Sequence, residues 1–295
     1  MGRLPMQPRH NKAQSAMEYL MTYGWAILII AIVLAALFQL GVFNSTNFAP
    51  KAPPGACQVF RPNGPGTTSF ISTEGECNGE LPQYVANFNG VSSHITASLS
   101  ILKMSSVTLT AWMYLNEIPS SNTGIVGLNP ANQCGALSMF PNGNCHIQPC
   151  LNSDTGQFAT DSGTCVSSRR WYFVAVYSNQ TSKTFGVYVN GQINNQSFSG
   201  NTISADEMDI GEFESQGAWF NGYISNVQVY NTSLSTNDIT SLYQEGIGGA
   251  PIDLQNLVGW WPLNGNSNDY SGNNNNGVPN GVTYTSNWVS GYAAP

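Results

Sequence analysis

The sequence predicts a mainly β protein, an antiparallel β-sandwich carried on one long hydrophobic N-terminal helix. Three observations carry that expectation. Charged residues make up only 8% of the 295-residue chain, about a third of the usual share, and its polarity comes instead from 33 Asn, 30 Gly and many Ser and Thr. With 7 Trp and 13 Tyr this is turn-and-strand composition, and it argues against a helical cytosolic enzyme. Secondly, no charged residue lies between Glu18 and Lys51. Thirdly, from residue 82 onward β-rich runs alternate with Asn, Gly and Ser turns at the spacing of a sandwich. The formal net charge of −7 also argues against nucleic acid as a partner, because phosphate binding needs a basic field.

The first element is the helix. Arg3, Arg9 and Lys12 precede every acid, and Ala26 to Phe43 is apolar except for Gln39. Eighteen residues rise about 27 Å as a helix, close to the thickness of a bilayer's hydrocarbon core. Basic residues on one flank alone predict a cytoplasmic N-terminus and an extracellular body. The stretch after Phe43 lacks the small-x-small site of an ordinary signal peptide. The polar stretch before the apolar run is more specific: Lys12, Ala13, Gln14, Ser15, then Glu18 and Leu20. A carboxylate entering a membrane wants a partner, and hydrolysis between Ala13 and Gln14 creates one, the new α-amino group.

These residues resemble the prepilin-type leader of archaeal type IV pilins and archaellins, although Ala13 stands where that family commonly carries Gly. The resemblance implies cleavage of residues 1–13 by a prepilin peptidase and handling by the pilus assembly machinery. Residues 14–43, first held in the membrane, would then pack with other pilin subunits into a filament core, with Glu18 of one subunit facing the Gln14 amine of a neighbour. An uncleaved membrane anchor is the alternative.

Residues 44–81 form the next segment, a stalk broken by Pro50, Pro53, Pro54, Pro62 and Pro65. Asn44, Asn179, Asn195 and Asn231 each open an N-x-S/T glycosylation sequon. All six cysteines follow the helix, and an even number outside the cell predicts disulfides. Cys57 and Cys77 flank one loop and are expected to pair. Cys134, Cys145, Cys150 and Cys165 allow three connectivities and read as staples for a long insertion. A metal site on Cys145, His146 and Cys150 lacks the paired spacing of structural zinc.

Residues 82–295 form the body. Strands are expected at Tyr84–Phe88, Val107–Tyr114, Trp171–Tyr177, Phe185–Val189 and Tyr223–Tyr230, with a tight turn at Asn190-Gly191. One further helix is expected from Ser235 to Tyr243, ended by Gly246. The runs YVANFNGVSSHI, SSVTLTAWMYL, RRWYFVAVYSNQTSKTFGVYVNGQ and FNGYISNVQVYNTSLSTNDITSLY resemble a laminin-G-like, concanavalin A-like jelly roll over about residues 82–245. Within residues 257–288, the run LVGWWPLNG looks like the strand that usually opens such a domain. Its place at the end of the chain implies a circular permutation, with this strand beside the first.

Candidate chemistry follows from that resemblance. Glu207, Asp209 and Glu212 resemble the ExDxxE signature of retaining β-glucan hydrolases, in which two carboxyl groups flank the scissile bond. On a strand Glu207 and Asp209 share a face, and a bulge at Gly211 could return Glu212 to it. The blander account is a solvated edge around an Ile-Gly strand, so the body reads as a non-enzyme. Surface glycans are the expected ligands, with Trp219, Tyr223 and Trp288 as aromatic candidates, although core burial competes for each. Calcium is the one cofactor considered: Asp269 and Asn273 supply hard oxygen donors, while an Asx-rich turn accounts for the same residues. The three histidines, His10, His94 and His146, form no recognisable triad. The sequence as a whole reads as a structural and adhesive subunit of a pilus-like filament at the archaeal cell surface.

Overall fold

The computed structural model describes residues 12–39, 81–102, 106–128, 134–213, 218–293 and 295, with backbone alone at 12–20, 22, 36–39, 100–102 and Phe213. They separate into two units, an N-terminal helix and a β body. Helix α1 runs Lys12–Gln39. Met21, Trp25 and Ile32 on one side of its axis and Tyr23 and Ile27 on the other are each at least 60% exposed within the chain. Among the described residues no helix is long and apolar enough to cross a membrane. The apolar run read from the sequence continues past Gln39, the last residue described there.

The body is a sandwich of two antiparallel sheets. Its strands are β1 Val85–Asn89, β2 His94–Leu102, β3 Ser106–Leu115, β4 Val126–Leu128, β5 Leu137–Pro141, β6 Ile147–Ser153, β7 Gly156–Ala159, β8 Trp171–Asn179 and β9 Thr184–Val189. There follow β10 Gln192–Ser197, β11 Ala205–Ile210, β12 Glu212–Phe213, β13 Ala218–Trp219, β14 Asn221–Tyr230, helix α2 Thr236–Gln244, β15 Leu257–Trp261, β16 Val278–Asn280 and β17 Thr283–Thr285. The front sheet runs β10-β9-β8-β3-β14-β1-β17, with β15 also on β14; the back sheet runs β16-β2-β11-β4-β5-β6-β7.

Period-two alternation explains the layering. On β3, Leu109, Ala111 and Met113 point between the sheets, where they meet Ile95, Met208, Ile210 and Leu137. The alternate residues Trp112 and Tyr114 point the other way, into a second apolar layer with Trp171, Phe173, Tyr188, Ile239 and Leu242. β3 is therefore buried on both faces. Helix α2 supplies part of that cover. Ser235 caps it, accepting from the Asp238 N–H while Asp238 accepts from the Ser235 N–H, a capping box that satisfies two end groups.

Two expectations need correction. The stretch holding Cys134 to Cys165 is no insertion: β5, β6 and β7 within it build one edge of the back sheet. Pro141 ends β5 and Pro149 sits inside β6, which hides these strands from a reading that treats proline as a breaker. Secondly, the Tyr223–Tyr230 run, whose residues read from the sequence as alternating inward and outward, does not alternate evenly in β14. A bulge between Ser225 and Gln228, with Asn226 at φ +50°, shifts the inward face from Ile224 to Val227 and Val229.

Of the three connectivities left open by the sequence, the chain takes Cys134–Cys150 and Cys145–Cys165, with Cα separations of 5.0 and 4.9 Å. They close loops of 16 and 20 residues, each contributing about 3 kcal/mol through the unfolded chain's lost entropy. Cys57 and Cys77 lie outside the described residues.

The closing segment belongs to both sheets. β15 pairs with the C-terminal half of β14 and β1 with its N-terminal half, so the LVGWW strand stands in line with the first strand, and β17 is the one hydrogen-bonded beside it. β16 pairs with β2. The buried Asp269 holds this segment in place. One carboxylate oxygen accepts from the backbone N–H groups of Trp260 (2.9 Å) and Ser271 (2.8 Å). The other accepts from the Ser271 hydroxyl and the Asn275 N–H, both at 2.9 Å. Asp269→Asn turns one acceptor into a donor facing other donors, and we expect a loss of about 2–4 kcal/mol, measured by urea unfolding of the variant against the parent chain.

Candidate functional site

Three segments meet at one end of the sandwich. In the β1–β2 loop, Asn89 Oδ1 accepts from the N–H groups of Val91 and Ser92, both at 2.9 Å, and of Ser93 at 3.1 Å. That Asx turn makes the loop rigid. Gly90 (φ +71°) then donates to the Phe220 carbonyl at 3.0 Å, and any Cβ there would lie 2.9 Å from the Asn221 side chain. In the β3–β4 loop, Asn116 Nδ2 donates to Asn221 Oδ1 (2.8 Å), while Asn221 Nδ2 donates to Glu117 Oε1 (3.2 Å). The third segment is the β12–β13 hairpin. The chain enters it from β11 through Gly211 (φ +85°), where the Phe88 ring occupies the space a Cβ would need, and β13 is tied back by Gly124 N–H to the Ala218 carbonyl (3.1 Å).

Between them lies an open cavity of about 350 Å³, walled by Trp219, Leu115, Ile118 and Pro119 and edged by Glu117, Asn221, Ser120, Ser121 and Thr123. The Thr123 hydroxyl oxygen is buried and has no partner within the chain. An apolar wall with a few convergent polar groups is the usual make-up of a small-molecule site. Among the aromatic candidates read from the sequence, Trp219 alone lines this cavity. Tyr223 is half-buried against Tyr114 (5.1 Å) and Trp171 (6.2 Å). Trp288 is 1% exposed, and its Nε1 donates to the Pro82 carbonyl; it is a core residue, and that candidacy is corrected. Glu117, Asn221 and Gly90 were missed. Their only sequence signal is position, directly after β3 or at a strand edge.

Trp219 also stacks on His94, centroids 5.3 Å apart at 27°, and His94 Nδ1 lies 3.8 Å from Glu212 Oε2. This places the three acids. Glu207 and Asp209 share the outer face of the back sheet, opposite the inward Met208 and Ile210. Glu207 is exposed, whereas Asp209 and Glu212 are 3% and 6% exposed. Retaining hydrolysis needs two carboxyl groups open to one substrate. Here two of the three are closed off, one of them against His94.

The calcium reading of Asp269 and Asn273 is also corrected. A carboxylate has about four lone-pair positions, and Asp269 fills them with the four donors described above. Asn273 Nδ2 donates to the Leu257 and Val258 carbonyls at 2.9 and 3.0 Å. The two residues organise a turn. Among the described residues no three His, Cys, Asp or Glu side chains are grouped to hold a metal, and Cys145 and Cys150 are in disulfides rather than joined to His146.

The remaining candidates are scattered. Asn195 is exposed and accepts from the Tyr177 hydroxyl, and Asn179 Oδ1 accepts from Thr181 and Ser182 N–H groups. Asn231 is exposed beside a second cavity of about 250 Å³ edged by Asn256, Asn273 and Asn275. Asn44 lies outside the described residues, as do the side chains of Lys12, Ala13, Gln14 and Glu18 at the start of α1.

Burial pushes the Asp209 carboxyl above its ordinary value of 3.8, opposed by a Thr96 hydrogen bond and by His94. The folded chain thus holds that proton more tightly than the unfolded chain, and this share of stability is lost as pH rises through the raised value. Asp209→Asn removes the loss. We expect the variant to be more stable than the parent near pH 7, with a flatter dependence as pH rises above the ordinary carboxyl value, as read from urea midpoints.

Comparison with known proteins fits this geometry. No curated protein matches the chain. Among solved structures it is similar to a provisionally assigned carbohydrate-binding protein from Bacteroides ovatus, at 17% identity and a TM-score of 0.55 over 74% of this chain. The match spans 65% of that protein, just under two thirds of its length. It is also similar to a heptameric SAP-like pentraxin from Limulus polyphemus, at 15% identity and a TM-score of 0.51 over 69% of this chain and 94% of the other. At such identities these likenesses speak to the fold alone. The family model of the concanavalin A-like lectin/glucanase superfamily matches residues 89–240, more than half of the sequence, and the chain belongs to that family.

Proposed function

We propose that this chain is a surface-displayed adhesive subunit whose β-sandwich binds carbohydrate in the cavity beside Trp219 and whose N-terminal helix assembles into a pilus-like filament. The observation that carries the binding role is the cavity itself, with an indole wall, a free carboxylate and a fixed carboxamide on one rim. A pyranose presents apolar C–H groups on its faces and hydroxyls around its edge. The faces suit the Trp219 ring, and the hydroxyls suit Glu117 and Asn221 on the cavity's edge. A fold shared with a provisionally assigned carbohydrate-binding protein is in keeping with the same reading.

The assembly role rests on the N-terminal sequence and on the character of α1. A helix apolar all round is stable only when covered on every side, by lipid first and by other copies afterwards. The Ala13/Gln14 junction ahead of Glu18 supplies the maturation site, and the proposal puts the helix in a membrane until assembly and the body outside the cell.

Trp219→Ala should weaken binding of the full-length chain to any glycan it retains by at least about tenfold, the usual cost of losing an aromatic anchor, while the urea midpoint changes little; equal binding by the variant would remove the cavity from consideration. Edman sequencing of the protein recovered from cell envelopes should begin at Gln14. A start at Met1 or Gly2 points instead to a membrane-tethered lectin that never polymerises.

A further inference from the structure

The charge around the cavity says which saccharides it takes, and this inference rests on the carbohydrate reading above. Among the described residues, Glu117 is the one charged residue on the cavity's edge. It is exposed, and one of its oxygens accepts from Asn221. Neither His94–Glu212 nor His146–Asp161 involves Glu117, and no basic side chain among the described residues is paired with it. Arg169 comes near through its backbone, donating to the Leu115 carbonyl, but it is not part of the wall. Behind Trp219 stand Glu212 and Asp209, both near His94. The basic residues of the described body are Arg169, Arg170 and Lys183, and the Lys183 ammonium is held by the Gly200 carbonyl on a turn far along the sheet.

A fixed carboxylate without a cation attracts an ammonium group and repels a second carboxylate, and the partly enclosed setting keeps both effects larger than at an open surface. We propose that the cavity selects saccharides bearing a protonated amine, accepts neutral ones less tightly, and turns away sugars that carry a carboxylate. The ammonium sits against Glu117, the ring face lies on Trp219, and Asn221 holds the carboxylate in place through its amide N–H.

The test is calorimetric titration of the full-length chain in detergent with three probes: a fully deacetylated glucosamine trisaccharide, cellotriose and 3′-sialyllactose. The amine should bind about tenfold more tightly than the neutral sugar at low salt, with the gap narrowing as salt is added, and sialyllactose should be weakest. Glu117→Gln keeps the acceptor for Asn221 and removes the charge, so the amine preference should collapse in that variant. Sialyllactose binding as tightly as the amine, or a preference that survives Glu117→Gln, overturns the selectivity. If the three probes bind alike and all lose affinity in Trp219→Ala, the cavity is the site and the selectivity is wrong. If none binds, the carbohydrate reading falls with it.

Discussion

A single buried carboxylate holds the closing segment against the rest of the sandwich. Asp269 is fully excluded from water, which an ionised group tolerates only when its lone pairs are filled. The four donors that fill them come from β15, from the turn after it and from the approach to β16. Once that turn is formed, β15 continues the edge of β14 beyond β1, while β16 and β17 flank β2 and β1. Asn264 adds a tie, accepting from the Tyr84 N–H at 2.8 Å. The loop between β1 and β2, which carries Gly90, is thereby fixed from both sides.

That anchoring bears directly on the cavity. Its walls are loops, and loops hold a shape only when their backbone groups are committed elsewhere. Gly90 is bonded to Phe220, Asn116 to Asn221, and Gly124 to Ala218. Each bond joins segments far apart in the chain, so Trp219 is placed by contacts that exist only in the folded sandwich. Its ring separates two environments, the open cavity and the enclosed His94–Glu212 pair. Asp209 and Glu212 of the ExDxxE pattern thus lie beside His94, which stacks on the far side of that ring.

The disulfide-bearing part shows the same division of labour. Four cysteines in an Asn- and Gly-rich stretch look like staples on a loop, because turn residues dominate the local signal. The buried Leu137, Met139, Ile147 and Leu151 are spaced by two or four residues, the period of a strand, but the runs are short and Pro141 and Pro149 interrupt them. Pairing with neighbours in the back sheet, rather than local preference, makes them strands.

What could be read from the chain alone was whatever depends on local pattern. The period-two runs of β3, β8 and β9, the Ser235 cap, the turn at Asn190-Gly191, the apolar run of the helix and the family of the body are written in short-range order. The pairing of the cysteines, the burial of Trp288, the saturation of Asp269, the phase shift at Asn226 and the meeting of Trp219 with Glu117 are not. Each depends on which distant backbone comes alongside, and that is decided by burying the most apolar surface while leaving the fewest polar groups unpaired.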